Sequence, residues 1–356
     1  MAIVGAGVAG LSVAYALARE GARPVVLERD GVAEAASGRN AGFVLAGVAE
    51  NFVAACRRYG LDRATRVWRF TITNRVLLRA IAQRHGIECD LAWNGSEQVA
   101  GDEDEWAEIH ESAGALAGLG VNVTLDPVRR TAMHADDGEM HPVRFVRGLA
   151  DAAEGLGARI HEGTPVSAVR PDGLTTASGA VRAGAVVLAT NAYTRAIVPS
   201  ARIAPTRGQM LATAPLTLPG GPASARIFPR PVYAHRGYRY WRQTREGRVL
   251  VGGWRDTAFE AETGTDANPT DAIQRHLDAF LAEHGVRAPV THRWAGIMGF
   301  SHDGLPYTGR RSDGVYVHAG FTGHGNAFAI AGGELIASLI RSGTHADADL
   351  FDPERP

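Results

Sequence analysis

The residues with the clearest chemical reading stand at the start of the chain. Gly5-Ala6-Gly7-Val8-Ala9-Gly10 is a G-x-G-x-x-G turn between a short apolar run, Ala2-Ile3-Val4, and an apolar stretch from Leu11 to Glu20. In that setting the first glycine permits the tight turn, and the second lets the backbone approach a pyrophosphate. The third lets a helix pack against a strand. Free N–H groups at the helix start then hold phosphates. Glu28 follows about 20 residues on, at the end of the run Pro24-Val25-Val26-Leu27, with Arg29 beside it. A carboxylate there accepts hydrogen bonds from ribose hydroxyls and repels a 2′-phosphate. These residues predict a bound dinucleotide and leave NAD and FAD both open.

Other chemistries are narrowed by what the sequence lacks. All 37 basic residues are Arg, so no Lys amine serves as base, Schiff-base former or oxygen-activating charge. The formal net charge of −1 provides no field to draw the protein to nucleic acid or an anionic membrane. Cys56 and Cys89 stand in unrelated contexts, and the 13 His form no HExxH or paired Cys/His pattern. Neither a disulfide framework nor a metal is predicted, and the cytoplasm is the default compartment. Ala2 to Ala18 is nearly uncharged, but its spaced glycines and the Arg19-Glu20 that follows predict a buried strand and helix, not a membrane span.

The elements that must position the turn form a βαβ unit with a parallel sheet: strand 2–4, helix 11–20 and strand 24–28. A helix is predicted over 61–86, where Leu61, Thr65, Trp68, Ile72, Val76 and Ile81 fall near a 3.6-residue period. Further helices are expected near 102–119, 142–157, 270–284 and 326–341. Short strands are expected at 159–161, 166–169, 174–177, 185–190 and 314–318. Residues 203–260 alternate apolar and polar with many aromatics and predict antiparallel strands. The fold class is therefore α/β, a Rossmann-like domain interrupted twice by an antiparallel-sheet domain. Its expected boundaries are 1–86, 142–205 and 296–356 for the dinucleotide-binding domain, and 87–141 and 206–295 for the substrate-binding domain.

The next segment separates the two dinucleotides. Ala35-Ala36-Ser37-Gly38-Arg39-Asn40-Ala41-Gly42 resembles the "ASGRNAG" run of the D-amino-acid oxidase-like flavoproteins, a family that includes glycine, sarcosine and gamma-glutamylputrescine oxidases. The likeness extends over nearly the whole chain. Thr164 to Val169 resembles the family strand that holds the adenine, centred on Val166, and Val187 to Tyr193 the "VVLATNAY" segment, with Ala189 and Thr190 near the cofactor. Arg207-Gly208-Gln209, Asp303 to Gly309 and Gly320-Phe321-Thr322-Gly323-His324-Gly325 match "RGQ", "DGLPxxG" and "GFxGHG".

The resemblance implies noncovalent FAD held by Gly5 to Gly10, Glu28, Arg29, Ser37, Arg39, Asn40, Ala41, Gly42, Val166, Ala189, Thr190, Gly296, Gly320, Gly323, His324, Gly325 and Asn326. It implies oxidation of a small amine or amino acid by hydride transfer to flavin N5, hydrolysis of the imine, and reoxidation by O2 to give H2O2. A helix N-terminus in the closing motif would stabilise the negative charge of the reduced flavin, and His324 could act with it. Two departures narrow the substrate. Relatives that grip an α-carboxylate carry an Arg where Trp294-Ala295-Gly296-Ile297-Met298 has Met298, so an amine whose carboxylate is distant or absent fits better. The Lys with which some relatives activate oxygen falls near Leu250. Tyr240 and Met298 are expected to face the flavin, with Tyr238, Arg242 and Trp254 binding substrate and His235, Arg236 and Trp241 nearby. An amine dehydrogenase using another acceptor, or an inert FAD-binding subunit of a larger complex, are the alternatives.

Overall fold

The computed structural model describes residues 1–216 and 226–355. The stretch 217–225 of the antiparallel region expected over 203–260 therefore lies outside the described residues.

Two large sheets organise the chain. The six-stranded sheet runs in the order Tyr307–Arg310, Tyr316–Ala319, Val186–Leu188, Ala2–Val4, Val25–Leu27 and Arg159–His161. Its pairs are parallel except the outermost, where Tyr307–Arg310 runs antiparallel to Tyr316–Ala319. Continuous apolar strands such as Ala2–Val4 and Val186–Leu188 are buried because helices cover a parallel sheet on its faces. Helix Val8–Arg19 is buried along its whole length apart from its last residue. It is apolar all round because neighbours surround it. Among those neighbours is helix Gly325–Ser342, where a Cβ on Gly333 would fall 2.6 Å from Ser12. No helix among the described residues is long and apolar enough to cross a membrane.

The eight-stranded sheet runs Val290–Ser301, Ile203–Pro215, Arg248–Gly253, Arg239–Gln243, Val232–Ala234, Ser96–Val99, Thr131–His134 and Val123–Asp126. It differs from the antiparallel expectation at one seam. Val232–Ala234 lies parallel to Ser96–Val99, because strands from two separate stretches of the chain meet edge to edge there and no hairpin joins them. Helix Asp271–Glu283 covers one face, packing Ile273, Leu277, Phe280 and Leu281 on Leu211, Val249 and Val251. The other face turns toward the six-stranded layer.

The predicted helices are present as Leu61–Arg84, Glu103–Ala117, Pro142–Gly155, Asp271–Glu283 and Gly325–Ser342. Helix Phe52–Tyr59 was not legible, since its eight residues give barely two turns of periodicity. The long strands Ile203–Pro215 and Val290–Ser301 pair in register from Ile203–Ser301 to Met210–Trp294 and beyond. At one end Phe300 bridges Phe321, and the Thr322 N–H donates to Gly299 O at 2.8 Å. This ladder ties the closing Gly-rich loop to the second sheet.

Candidate active site

A cavity of about 600 Å³ lies between the two layers, well within the roughly 300–1,000 Å³ of small-molecule sites. One end is built by the first βαβ unit. The Gly10 position is closed to any side chain, because a Cβ there would sit 1.9 Å from Gly5 O. Gly10 itself does not line the cavity; it lets the helix begin directly behind the turn. Gly5, Gly7, Val8 and Ala9 line the wall. Ser37 Oγ accepts from Val8 N–H at 2.9 Å, which fixes the 35–42 segment against the helix start.

Glu28 stands at this end with Oε2 accepting from Ala6 N–H at 2.8 Å and Oε1 from Asp30 N–H at 2.9 Å. Ala6 thus serves the site through its amide and is not itself in the lining. Each carboxylate oxygen keeps a lone pair for a further donor. Arg29 stacks over Tyr193 at 4.7 Å and pairs with Asp30, which raises its pKa first through that hydrogen bond. Thr164, Pro165, Val166 and Ser167 complete this end, with Ala189, Thr190 and Asn191 beside them.

The 35–42 segment divides its labour differently from the simple expectation of donors aimed at a phosphate. Asn40 Nδ2 donates to Ala36 O and Ser37 O, and its Oδ1 accepts from Gly42 N–H and Asn326 Nδ2. Asn40 therefore locks the segment to the last helix. Arg39 donates from Nε to Glu34 O at 2.7 Å and from Nη1 to Ala295 O at 3.1 Å, with no acidic partner among the described residues. Ala41, Gly42, Gly296, Gly323, His324, Gly325 and Asn326 also line the cavity. Gly320 does not; its N–H donates to Asn191 Oδ1 at 2.9 Å and holds the closing loop in place.

The other end is an aromatic chamber. Tyr238, Tyr240, Met298, Phe300, Phe43 and Tyr233 line it. Met298 sits between Gly208 and Gly323, its thioether 3.6 and 3.5 Å from where their Cβ atoms would be. The Tyr240 hydroxyl is also 3.6 Å from the Gly208 Cβ position, so the absence of a side chain there lets both reach the chamber. Burial pushes the Tyr240 phenol up to about 12, against the pull of nearby Arg255. His324 is lowered by burial first, opposed by its bond to Thr322 O and assisted by Arg255. With Nδ1 at 3.2 Å from a carbonyl that only accepts, Nδ1 carries the proton and Nε2 is left as an acceptor. Helix Gly325–Ser342 begins directly after it, so first-turn amides without intrahelical partners adjoin the chamber. Asn74 holds that helix, donating to Asn326 O and accepting from Ile330 and Ala331 N–H.

Two expected substrate residues are elsewhere. Arg242 shares a strand face with Tyr240 but lies past the chamber, 5% exposed. It donates to Ala41 O at 2.5 Å, Met140 O at 3.0 Å and Glu139 at 3.2 Å. Alternation gave the face, while the neighbouring carboxylate and carbonyls captured the side chain. Trp254 packs on the opposite side, against Phe280 and under Arg239, because its backbone turns left-handed at φ 62°. His235 is exposed, and Trp241 joins the core under helix Asp271–Glu283; neither lines the cavity. Arg236 lines it but is paired with Glu108. The sequence reading missed Arg255, Phe300 and Tyr193. Arg255 had only the weak signal of a lone cation after a strand, in Gly252-Gly253-Trp254-Arg255.

Two helix N-termini, at Val8 and Gly325, thus face one cavity that has the Glu28 carboxylate at one end and an aromatic chamber at the other. That donor set fits a pyrophosphate-bridged dinucleotide with a redox-active ring, and it defines a dinucleotide-dependent oxidoreductase. The family model for FAD-dependent oxidoreductases matches residues 1–339. The chain is 28% identical over 371 residues to the gamma-glutamylputrescine oxidoreductase of Escherichia coli, covering 98% of this chain and 84% of that one. It is 26% identical to the glycine oxidase of Pseudomonas aeruginosa, covering 95% and 93%. The crystal structure of glycine oxidase from Geobacillus kaustophilus superposes with a TM-score of 0.83 at 23% identity, over 100% of this chain and 98% of that one. The protein belongs to the DAO family of FAD-dependent oxidoreductases.

Proposed function

We propose that the protein is an FAD-dependent oxidase of a C–N bond in a small amine or amino acid. The observation that carries this reading is the chamber itself. Tyr240, Tyr238, Met298 and Phe300 enclose it beside the Gly323–Asn326 helix start, and the only carboxylate among the described lining residues, Glu28, stands at the other end. An ammonium group in the chamber has no counter-ion and is disfavoured by desolvation, so the substrate is held as a neutral amine. The chemistry FAD supplies when bound is acceptance, at N5, of the hydride from the carbon next to nitrogen, with the electrons passing on to O2 to give H2O2.

The chain's own residues bind, orient and exclude water. Tyr240 stays protonated to high pH and offers its O–H as donor, while neutral His324 offers Nε2 as acceptor. Met298 presents apolar surface that fixes the reacting carbon, and Phe300 continues that apolar wall along the strand. Ser37, Arg39 and the two helix starts hold the cofactor without a covalent link, and neither cysteine lines the cavity. The imine product needs only water for hydrolysis after release. The absence of Lys from the sequence favours a second reading, a dehydrogenase that passes electrons to another acceptor.

The test is anaerobic mixing of the yellow holoprotein with primary amines, N-methyl amines and D- and L-amino acids, followed by aeration. Loss and oxygen-dependent return of the flavin bands, with peroxide release, is the expected result. Return only with an artificial dye selects the dehydrogenase. A colourless protein that cannot take up FAD, or a flavin that no amine reduces, overturns the reading. Acid precipitation should leave the colour in the supernatant.

A further inference from the structure

Four arginines line the cavity, and they differ in what they are paired with. Arg29 pairs with Asp30 and Arg236 with Glu108, while Arg39 gives two of its donors to carbonyls and stands at the cofactor-holding end beside Ser37. Arg255 has no carboxylate within 4 Å and no side-chain hydrogen bond among the described residues. Its guanidinium lies instead among three aromatic faces, 4.5 Å from the Tyr238 ring centre, 4.7 Å from Phe300 and 5.8 Å from Phe259. Cation–π contact keeps the charge in place without neutralising it. The nearest acid in sequence, Asp256, is taken by Arg239 through contacts of 2.5 and 3.0 Å. The left-handed Trp254 sends its own ring to the other side of the sheet, and the short helix Arg255–Thr257 opens immediately after it. A guanidinium held in a partly desolvated chamber, with none of its five donors bonded and no anion against it among the described residues, is a built anion site.

We propose that Arg255 is the carboxylate anchor of the substrate, and that the substrate class is an amine carrying its carboxylate several bonds from the oxidised C–N bond. The proposal rests on the amine-oxidase reading above. The separation follows from the strand. Phe300, on which Arg255 stacks, is two residues beyond Met298 on the same face of Val290–Ser301, a displacement of about 7 Å. A carboxylate at Arg255 therefore leaves the reacting carbon near Met298 only if a chain of several atoms joins them. An α-amino acid is too short to span that gap, whereas an ω-amino acid or a similarly extended amine does. Tyr238 contributes by presenting its face to the cation, so it is a positioning residue for Arg255.

The experiment uses the FAD-loaded protein, the variants Arg255→Met and Arg255→Lys, and matched pairs of 5-aminopentanoate with pentylamine and 4-aminobutyrate with butylamine. The readout is the ratio of kcat/KM for each acid to that for its alkylamine. A second readout, independent of turnover, is the change in the flavin visible spectrum on titration with pentanoate. The native protein is expected to favour the acids and to bind pentanoate, and Arg255→Met to lose about 10- to 100-fold in both, the range of one charge-assisted bidentate contact. Arg255→Lys should recover part of the loss, which a collapse of the chamber would not allow. Equal ratios and equal pentanoate affinity in the native protein and Arg255→Met overturn the assignment. Oxidation of alkylamines with no advantage for the acids in the native protein also overturns it, and leaves the oxidase reading standing. Pentanoate binding that depends on Arg255, with no amine reducing the flavin, upholds the anion site and refutes the oxidase reading.

Discussion

Arg242→Met separates a cofactor-holding role from a substrate-binding one. The guanidinium is buried and donates to Ala41 O, Met140 O and Glu139 Oε2. Burial pulls its pKa down, and Glu139 opposes that pull. Methionine matches the stem but leaves two buried carbonyls without this donor, and Glu139 with Arg226 and Asn94 as its remaining side-chain partners. Leaving these acceptors without their charged donor costs about 3–5 kcal/mol in all, at roughly 1–3 kcal/mol for each unsatisfied group. An unfolding entropy of roughly 2.1 cal/mol/K per residue gives about 0.75 kcal/mol/K for a chain of 356 residues, so the loss corresponds to a Tm about 4–7 °C lower. Because Ala41 belongs to the segment along the cavity wall, its release should also weaken FAD binding about tenfold, or ~1.4 kcal/mol. Differential scanning calorimetry of the holoprotein and fluorescence titration of the apoprotein with FAD measure the two quantities. An unchanged Tm and FAD affinity, together with a raised KM for the amine, would refute this reasoning and return Arg242 to the substrate.

Other outcomes follow from the same geometry. Tyr240→Phe removes one donor from the chamber and should lower kcat/KM by about 2- to 10-fold with FAD affinity unchanged, as steady-state kinetics and FAD titration will show. Glu28→Ala frees the Ala6 and Asp30 amides and deletes the carboxylate proposed to accept from the ribose, so the Kd for FAD should rise by about 10- to 100-fold in a fluorescence titration. His318 accepts from the Thr308 hydroxyl at Nδ1 and donates from Nε2 to Ala329 O, and burial pushes its pKa down to about 4. The unfolded imidazole binds a proton near 6.5, so this stability is complete above that pH and falls as pH drops from about 6.5 to 4. It amounts to roughly 3 kcal/mol. Denaturant unfolding at pH 7 and pH 4.5 should show the loss, and His318→Gln should flatten that part of the profile.

The sequence by itself determined the Gly-turn end of the cavity. Gly5, Gly7 and Gly10 act through local turn geometry, and Glu28 is placed by a strand only a helix away, so spacing along the chain is enough to read them. The apolar strands of the parallel sheet were legible for the same reason: burial on both faces leaves a continuous hydrophobic run. Tertiary structure decided the chamber. Alternation put Tyr240 and Arg242 on one face, but only the arrival of Glu139, Met140 and Ala41 from distant parts of the chain turned Arg242 away from the cavity. Arg255 carries no local pattern: Phe259 is four residues on, but the closer faces of Tyr238 and Phe300 come from separate strands, and the adjacent Asp256 is occupied by Arg239. The parallel seam between Val232–Ala234 and Ser96–Val99 is likewise a pairing of remote strands. Short-range periodicity fixes which face a side chain takes, and long-range packing decides what waits for it there.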